Sequence, residues 1–384
     1  MNKISIFGCA ADGMSALKEA GVQNVDCFID NDPKKQGTTV EGLLVVSLDE
    51  WKEKYGHSEI IIASKAFQVI GKQLEENGIT DYRVWTPLYR WYGSKNILVL
   101  NPYDRRELQT EEKIVGYEEN QKHFDFLNSC ADMLWKQNPL FAQIEIETYN
   151  RCNGVCEFCP VSVVNETRPE CLMSNELFEK IVSELAEIDW HGCLCLFSNN
   201  EPFLDERLVE FSRIIRERVP HAKTHLYTNG TCLTMDKLVQ VIDYLDELII
   251  DNYNQKLELI PPVKRIKEYC EEHPELIEKV TIVLRNPKEI LEARGGDAPN
   301  RQNTPTITGV KCTYPFRQMV IRPDGKVSLC CNDALGKYTM GDVNENTLTE
   351  IWYSEKYQKI RDIMHKEGRA ALEVCNCCDT RNLV

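Results

Sequence analysis

The chain has 384 residues, of which 42% are hydrophobic, and this length is enough for about two to three domains with buried cores. Its net charge of −15 argues against a nucleic-acid partner, because the phosphates of nucleic acids require a basic protein surface. No long basic run would attract an anionic membrane, and no apolar stretch approaches the ~20 residues that span a bilayer.

Residues 1–93 are predicted to form a Rossmann-like α/β domain that opens directly on a strand, so a signal peptide is not expected. The predicted strands read KISIF, VDCFID, GLLVVS, EIIIAS and DYRVW. One predicted helix ends at Ala20, a second begins at Ser47 and a third spans residues 67–77. Strands that alternate with helices in this way indicate a parallel sheet.

The first turn of this domain is a degenerate dinucleotide-binding fingerprint. It keeps the first and last glycines of Gly-x-Gly-x-x-Gly as Gly8 and Gly13, but it has Ala10 at the middle position. Asp30 follows at the place where an acid would bind a ribose hydroxyl. Because Ala10 would crowd a pyrophosphate, two alternatives stay open: a bound nucleotide or nucleotide sugar, and a scaffold or docking domain without a ligand.

Residues 94–139 are predicted to be a helical connector, in which NPYDRREL is a loop and residues 111–136 form one or two helices. From residue 140 to about 310 the sequence predicts a partial (β/α)6 barrel. The predicted barrel strands read QIEIETY, CLCLFS, AKTHLYT, DELIIDN, EKVTIVLR and RQMVIR. The amphipathic helices between the earlier strands are predicted near residues 175–188, 206–218, 235–244 and 258–272. Barrels of this kind collect their chemistry at the carboxyl ends of the strands.

Three cysteines follow the first predicted barrel strand with the spacing Cys-x3-Cys-x2-Cys. Cys152, Cys156 and Cys159 can hold three corners of a four-iron cluster and leave the fourth iron without a protein ligand. An open iron can bind and activate a small molecule, whereas a fully ligated cluster only carries electrons. A zinc loop is the alternative, but structural zinc takes four ligands, and no histidine or cysteine follows within ten residues.

The cysteine content of the whole chain supports this interpretation. There are 17 cysteines, an odd number, and many of them lie in Cys-x-x-Cys-like groups. In a long chain such usage favours metal or cluster ligation in a reducing compartment over a framework of disulfides. We therefore expect a cytoplasmic protein.

The three-cysteine loop, placed after the first strand of a β/α barrel, resembles that of radical S-adenosylmethionine (SAM) enzymes, and Phe158 before the third cysteine is similar to the aromatic residue of their signature. The resemblance implies that the open iron of a [4Fe-4S] cluster binds the amino and carboxylate groups of SAM. It also implies that the reduced cluster cleaves SAM to methionine and a 5′-deoxyadenosyl radical, which abstracts a substrate hydrogen. A reducing protein such as flavodoxin or ferredoxin is then an expected partner.

The segment after the second barrel strand resembles a SAM-binding motif of the same family. SNNEPFLD is similar to the Gly-Gly-Glu-Pro segment, with Asn199 and Asn200 in place of the two glycines. The resemblance implies that Glu201 meets the amino group of SAM, since a carboxylate is a suitable partner for an ammonium, and that Asn200 also contacts the cofactor. A turn with a capping acid is the alternative.

Two further loops resemble segments that face SAM and the substrate in this family. YTNGT follows the third barrel strand, and the resemblance implies that Thr228 and Asn229 face the adenosyl group. ARGGDAPNR is a glycine-rich loop in which Arg294 is the predicted catalytic residue, because a guanidinium can bind a carboxylate or polarise a hydroxyl. Plain surface turns are the alternative for both loops.

Residues 311–384 contain a second group of cysteines around an RPDG hairpin turn. Four of them have the spacing Cys-x17-Cys and Cys-x2-Cys, namely Cys312, Cys330, Cys375 and Cys378. The set resembles the auxiliary-cluster domain of the SPASM/Twitch subgroup, and a single set resembles the shorter Twitch form with one auxiliary [4Fe-4S] cluster. Cys331 and Cys377 adjoin two of these residues, so the ligand assignment is open by one position, and zinc is an alternative metal.

The resemblance implies a radical SAM oxidoreductase with dehydrogenase-like chemistry. The first hypothesis is oxidation or related remodelling of a small carbohydrate-type molecule, such as a sugar, cyclitol or sugar nucleotide, with the auxiliary cluster as the electron acceptor. The second is maturation of a ribosomal peptide or a protein side chain, which the parallel β/α pattern of the N-terminal residues makes less favourable. The third is a cluster- or zinc-binding interaction protein without catalytic activity.

Overall fold

The computed structural model describes residues 3–85, 97–103, 117–301, 306 and 308–380. The chain divides into two compact units, Met1–Arg90 and Trp91–Val384. The domain boundaries that the sequence suggests at residues 93, 139 and 310 stay predictions.

The first unit is a six-stranded sheet with three helices. Its strands are β1 (Ile4–Phe7), β2 (Val25–Ile29), β3 (Thr39–Val40), β4 (Leu43–Val46), β5 (Glu59–Ile62) and β6 (Tyr82–Val84). Its helices are α1 (Ala11–Ala20), α2 (Leu48–Lys54) and α3 (Phe67–Glu76). The sheet order is β3-β4-β2-β1-β5-β6, and every pair except β3–β4 is parallel. The five strands and the parallel pairing that the sequence predicts are therefore present.

Local sequence explains why the elements of this unit begin where they do. Helix α2 starts after Ser47, whose Oγ accepts a hydrogen bond from the amide of Glu50 at 3.1 Å and so satisfies one free donor of the first turn. The central strands bury apolar side chains such as Ile6, Phe28 and Val45, which are fully inaccessible to solvent. Burial on both faces is typical of parallel strands covered by helices.

The second unit contains one nine-stranded sheet. Its strands are β7 (Val99–Leu100), β8 (Gln143–Ile146), β9 (Cys193–Cys195), β10 (Lys223–Thr228), β11 (Glu247–Tyr253), β12 (Val280–Arg285), β13 (Gln318–Ile321), β14 (Lys326–Ser328) and β15 (Thr339–Asp342). Its helices are α4 (Tyr117–Gln137), α5 (Asn175–Glu187), α6 (Leu208–Arg218), α7 (Met235–Val241), α8 (Pro261–Glu272), α9 (Leu348–Trp352) and α10 (Glu355–Lys366).

The order of this sheet is β15-β14-β13-β8-β9-β10-β11-β12-β7. The strands from β13 to β7 are all parallel, and β14 and β15 continue the sheet in antiparallel pairing. The last predicted barrel strand, RQMVIR, becomes β13 and pairs with the first strand β8. The opposite edge beyond β12 is formed by β7.

Residues 94–139, for which the sequence predicts a loop and one or two helices, also contribute the strand β7. This strand has only two residues, which pair Val99 with Ile282 and Leu100 with Val283, so it is too short to show a strand periodicity. Residues 104–116, which include most of NPYDRREL and the start of the predicted helical run, lie outside the described residues. The later part of that run forms α4.

Helices α5 to α8 pack on the parallel strands through their apolar faces. Phe178 of α5 and Phe211 of α6 stack with ring centroids 3.8 Å apart, which fixes these two helices beside each other. Ser174 and Thr234 cap α5 and α7 through their side-chain oxygens. In the part of the chain that the structure describes, no helix has the length and apolarity needed to cross a membrane.

Candidate active site

Three loops meet at the carboxyl edge of the second sheet. The cysteine loop follows β8, SNNEPFLD follows β9 and YTNGT follows β10, and these strands are parallel neighbours in that order. The amide of Glu201 donates to the carbonyl of Arg151 at 2.9 Å, and Asn229 Nδ2 donates to Asn153 Oδ1 at 2.9 Å. The segments that the sequence assigns to one site are therefore brought together.

The cysteine loop folds around Gly154. The amide of Gly154 donates to Cys152 Sγ at 3.3 Å, and a Cβ atom added at Gly154 would lie 3.2 Å from this sulfur and 3.9 Å from Cys156 Sγ. Burial, together with the charges of neighbouring groups such as the Cys159 thiolate, raises the pKa of Cys152 and Cys156 to about 12. A bound iron reverses this balance, because a metal ion deprotonates the thiols that coordinate it.

The spacing of the thiols bears on the choice between zinc and a cluster. In a tetrahedral site with Zn–S distances of about 2.3 Å, the sulfurs lie about 3.8 Å apart. Among the described residues, three side-chain ligand atoms of His, Cys, Asp or Glu come within 4.8 Å of one another only at Asp189, His191 and His221. In neither cysteine group do the sulfur atoms lie as close together as in a single-zinc site. This wider spacing favours a four-iron cluster.

Glu201 is held in place by the loops around it. Its carboxylate is buried and accepts hydrogen bonds from Thr228 Oγ1 at 2.6 Å, the amide of Asn229 at 2.8 Å and the amide of Phe203 at 3.2 Å. Burial raises the pKa of Glu201, although these three bonds oppose the rise. A carboxylate has about four acceptor positions, so one is left for a cation such as an ammonium group.

The asparagines that replace the family's glycines have different surroundings. Asn200 Oδ1 accepts from the amide of Ser198 at 3.0 Å, but its buried Nδ2 has no hydrogen-bond partner among the described residues. A buried donor without a partner is costly, so a ligand with an acceptor oxygen, such as the carboxylate of SAM, fits here. Asn199 Nδ2 instead donates to the carbonyl of Cys331 at 3.2 Å.

Arg294 lies beside the same loops. Its Nη2 donates to Asn199 Oδ1 and, at 3.3 Å, to the carbonyl of Cys331, while its buried Nε has no partner among the described residues. Burial opposes the charge of Arg294, but the nearby Cys331, Cys159 and Glu292 raise its pKa above the usual value. The guanidinium therefore stays charged near Cys159 and Cys331.

Glu145 of β8 is a site residue that the sequence reasoning missed. It is buried, and its Oε1 accepts from Gln318 Nε2 at 2.7 Å and from Gln143 Nε2 at 3.0 Å. Burial raises the pKa of Glu145 to about 7, although Ser198 and the charge of Arg294 oppose the rise. QIEIETY did contain a signal for a site residue, namely a carboxyl group on a central strand that is buried on both faces.

The far side of the site, on β11 and β12, is also polar. Phe158 packs near Tyr253 with ring centroids 5.9 Å apart. Asp251 lies 3.7 Å from Arg285 Nε, which is in turn 3.1 Å from Glu289 Oε1. These side chains place charged and hydroxyl groups at, and just beyond, the carboxyl ends of β11 and β12.

The four predicted auxiliary cysteines line one small cavity. All four are buried, and Tyr314, Asn332 and Arg369 are among the other residues that line the cavity. The four cysteines are Cys312, Cys330, Cys375 and Cys378. Arg369 holds the last turn of this region by donating to the carbonyls of Cys378 at 3.0 Å and Thr380 at 2.6 Å.

The two neighbouring cysteines, which the sequence left as alternatives, are not among the residues that line this cavity. The amide of Cys331 donates to Gln318 Oε1 at 2.9 Å, and the largest charges that act on its thiol are those of Glu145 and Arg294, which belong to the barrel site. The thiol of Cys377 faces Gly296, where an added Cβ atom would lie 2.6 Å from it.

The glycine turn of the first unit is explained by packing within that unit. A Cβ atom at Gly13 would lie 1.9 Å from the carbonyl oxygen of Gly8, so α1 needs glycine to approach the turn. Asp30 accepts from the amide and thiol of Cys9, both at 3.1 Å, and forms an ion pair with Lys35 at 2.9 Å. Although burial opposes its charge, a hydrogen bond from the amide of Asp32 at 2.9 Å, together with these contacts, lowers the pKa of Asp30 to about 2. Nucleotide binding at this turn stays a prediction.

Comparisons with known proteins agree with this geometry. The radical SAM superfamily profile matches residues 146–286, and the profile of the SPASM iron-sulfur cluster-binding domain matches residues 312–379. The chain therefore contains a radical SAM domain followed by a SPASM domain. The first residues of this radical SAM enzyme, 1–85, match the profile described as C2185-like, N-terminal.

Individual relatives resemble part of this radical SAM enzyme. The S-adenosyl-L-methionine-dependent 2-deoxy-scyllo-inosamine dehydrogenase of Niallia circulans is 27% identical over 242 residues, which are 63% of this chain and 94% of that protein. The crystal structure of BtrN in complex with AdoMet and 2-DOIA is 25% identical, with a TM-score of 0.55 over 63% of this chain and 94% of that one. A structure of anSMEcpe with bound AdoMet has a TM-score of 0.43 and 15% identity, over 63% of this chain and 86% of that one.

The radical SAM and SPASM domains imply a [4Fe-4S] cluster, SAM and auxiliary cluster binding. On the geometry above, Cys152, Cys156 and Cys159 fit the first cluster, and Glu201 and Asn200 fit SAM.

Glu201→Gln is expected to weaken SAM binding about tenfold to a hundredfold, because the amide keeps the size of the side chain but loses the charge that would pair with an ammonium. The affinity should be measured by titrating SAM into the reconstituted protein. Glu206→Gln is the matched control, since Glu206 is 82% exposed in the same segment and pairs with Lys237 at 3.1 Å. Equal affinities in the two variants would contradict the assignment of Glu201.

Proposed function

We propose that this radical SAM enzyme oxidises a carbon that carries a hydroxyl group in a cyclitol, sugar or sugar nucleotide. Three loops supply the cofactor site, a polar barrel supplies the substrate site, and a buried cavity with four cysteines lies on the same sheet. The name of the similar dehydrogenase, 2-deoxy-scyllo-inosamine dehydrogenase, supports a cyclitol as the first choice of substrate.

One observation carries this proposal, namely the position of the backbone at Cys331. Its carbonyl accepts hydrogen bonds from both Asn199 Nδ2 and Arg294 Nη2, at 3.2 and 3.3 Å. The preceding residue, Cys330, lines the auxiliary cavity. Arg294 at the proposed substrate site therefore contacts the residue that directly follows a proposed auxiliary-cluster ligand. This short connection suits an oxidation in which one electron must pass from the substrate to an acceptor.

The chemistry balances with these parts. When bound, the open-iron cluster and SAM supply a 5′-deoxyadenosyl radical that removes a hydrogen atom from the carbon. Oxidation to a ketone then requires loss of the hydroxyl proton and of one electron. Cys312, Cys330, Cys375 and Cys378 are the proposed ligands of one auxiliary [4Fe-4S] cluster, whose chemistry there would be to accept that electron.

Arg294 and Glu145 have separate proposed roles. Arg294 keeps its charge, and its Nε has no partner in the described part of the chain, so it can bind and polarise the substrate oxygen. The pKa of Glu145, raised by burial to about 7, is suited to accepting a proton near neutral pH. Gln143 and Gln318 orient its carboxyl group.

Glu145→Gln is expected to lower kcat about a hundredfold or more and to remove a rise in activity through about pH 7. Because burial raises the pKa of this carboxyl in the folded state, the wild-type group is neutral and stabilising at acid pH. That contribution to the free energy of unfolding is lost as the pH rises through about 7. The free energy of unfolding of the variant should not show this decrease. Rate–pH and unfolding–pH profiles would measure both effects, and an unchanged rate profile would exclude Glu145 as the proton acceptor.

Substrate oxidation is tested directly with labelled compounds. The reconstituted and reduced protein should convert 2-deoxy-scyllo-inosamine, or another cyclitol or sugar from a panel, to a ketone with one 5′-deoxyadenosine formed per product. Deuterium at the reacting carbon should appear in 5′-deoxyadenosine. Formation of 5′-deoxyadenosine without any ketone across the panel would contradict the proposed substrate class, and turnover of peptides instead would support the maturase alternative.

The electron donor is proposed to be a small reducing protein such as flavodoxin or ferredoxin. The cysteine loop and the turn after it carry exposed apolar side chains, since Val155 is 65% and Val164 is 79% exposed, and such a patch suits a transient protein contact. The proposed compartment is the cytoplasm, because free thiols and iron-sulfur clusters require reducing conditions.

A further inference from the structure

Two histidines and an aspartate lie together on the second unit, away from both cysteine groups. His191 is two residues before β9, and His221 is two residues before β10. They are therefore at the amino edge of the sheet, whereas the candidate active site is at the carboxyl edge.

The register of the sheet brings the two histidines together. Cys193 of β9 pairs with Lys223 of β10 in parallel, so residues 191 and 221 face each other across the gap between neighbouring strands, which is about 4.8 Å. Their imidazole rings are stacked with centroids 4.4 Å apart and an interplanar angle of 16°. The strand pairing, and not chance contact between two loops, sets this distance.

Asp189 completes the group. Its Oδ2 lies 3.4 Å from His191 Nε2, and its Oδ1 lies 3.8 Å from His221 Nε2. The three ligand atoms all lie within 4.8 Å of one another. In a tetrahedral zinc site with metal–ligand distances of about 2.0–2.1 Å, neighbouring ligand atoms are about 3.3 Å apart, so small side-chain rotations would be sufficient.

Buried neighbours fix the backbone that carries these residues. Trp190 lies between Asp189 and His191 in the sequence, and its side chain is buried. Its indole Nε1 donates to the carbonyl of Phe141 at 3.0 Å. A Cβ atom at Gly192 would lie 2.0 Å from the ring of Trp190, so the chain is tightly packed on both sides of His191. The exposed side chains therefore project from a rigid base.

We propose that Asp189, His191 and His221 bind one divalent transition-metal ion of the zinc class, with solvent in the remaining position. Two imidazoles and one carboxylate are ligands that zinc uses together with water, and imidazole selects such metals over magnesium and calcium. The site is distinct from the iron-sulfur positions, because it contains no cysteine and lies at the opposite edge of the sheet. The proposal does not depend on the substrate of the enzyme.

The test uses the iron-loaded protein, so that the cluster cysteines are occupied, and one equivalent of Zn²⁺ under anaerobic conditions. Competition with a chromophoric chelator should reveal one zinc site, and His191→Gln and His221→Gln should each weaken it about tenfold or more. X-ray absorption at the zinc edge should show nitrogen and oxygen ligands at about 2.0–2.1 Å and no sulfur shell at about 2.3 Å.

His57→Gln provides the matched control, because His57 is similarly exposed and lies 3.6 Å from a single carboxylate oxygen of Asp26. This variant should keep the wild-type zinc affinity and ligand shell. A sulfur shell in the wild-type spectrum, or equal zinc affinity in the wild type and His191→Gln, would overturn the proposal and leave the trio as surface ion pairs.

Discussion

Cys152→Ala should abolish the cleavage of SAM to 5′-deoxyadenosine and reduce the iron content from about eight atoms to about four. The loop offers three thiols in a short segment, and the loss of one leaves two, which is too few to hold the first cluster. The remaining iron should belong to the auxiliary site, because its cysteines line a separate cavity. Iron analysis and product chromatography after anaerobic reconstitution would measure both effects.

Cys171→Ala is the matched control for this experiment. Cys171 is a half-buried free cysteine close to the loop in sequence, and its amide donates to Asn150 Oδ1 at 2.8 Å, a bond that the variant keeps. It should retain about eight iron atoms and full SAM cleavage. SAM cleavage at the wild-type rate by Cys152→Ala would show that the radical assignment of this loop is wrong.

Cys330→Ala and Cys331→Ala should differ sharply although the two residues are adjacent. Cys330 lines the auxiliary cavity, so its replacement should lower the iron content to about four atoms, leave SAM cleavage intact and stop the formation of oxidised product. Cys331 has its thiol near Glu145 and Arg294, so its replacement should keep about eight atoms. Iron counts, 5′-deoxyadenosine and product should be measured for both variants.

Comparing Cys330→Ala with Cys331→Ala tests separately which cysteine is the ligand and whether the auxiliary cluster accepts the electron. Loss of about four irons in Cys331→Ala, with a normal content in Cys330→Ala, would shift the ligand assignment by one position. Normal product from a Cys330→Ala protein that has lost its auxiliary iron would instead show that the auxiliary cluster is not the electron acceptor. Cys377→Ala should behave like Cys331→Ala, since neither residue lines the cavity.

Much of the fold could be predicted because it depends on short-range patterns. The strands of both sheets are runs of β-branched and apolar residues, and the helices between them carry clear apolar faces. The loops of the candidate site follow strand ends, and parallel strands bring their ends to one edge, so local sequence was enough to group them.

What the sequence could not provide were properties that depend on long-range pairing. RQMVIR is a recognisable strand, but its partner β8 is more than 170 residues away in the chain, as Gln318 pairs with Gln143. The direction of Cys330 and Cys331 was equally hidden, because the two residues lie in the bend and turn after β14, where local sequence does not decide which thiol faces the cavity.

Two individual residues illustrate the same limit at the level of side chains. Asp30 is at the expected distance from Gly8 for a ribose-binding acid, yet its carboxylate is occupied by Cys9 and Lys35 of its own unit. Glu145 looked like an ordinary strand residue, and only the neighbours from β13 and the glycine-rich loop give it a role. In both cases the partners come from other segments of the chain.

Because β13 pairs with β8, the three-cysteine loop and the auxiliary cysteines depend on the same sheet. The strand that leads into the three-cysteine loop has β9 on one side and β13 on the other, and β13 begins six residues after Cys312. Cutting the chain after residue 310 would leave the hydrogen-bonding groups of β8 exposed along a bare sheet edge, which invites aggregation. The auxiliary region is thus also structural support for the strand that carries the radical site.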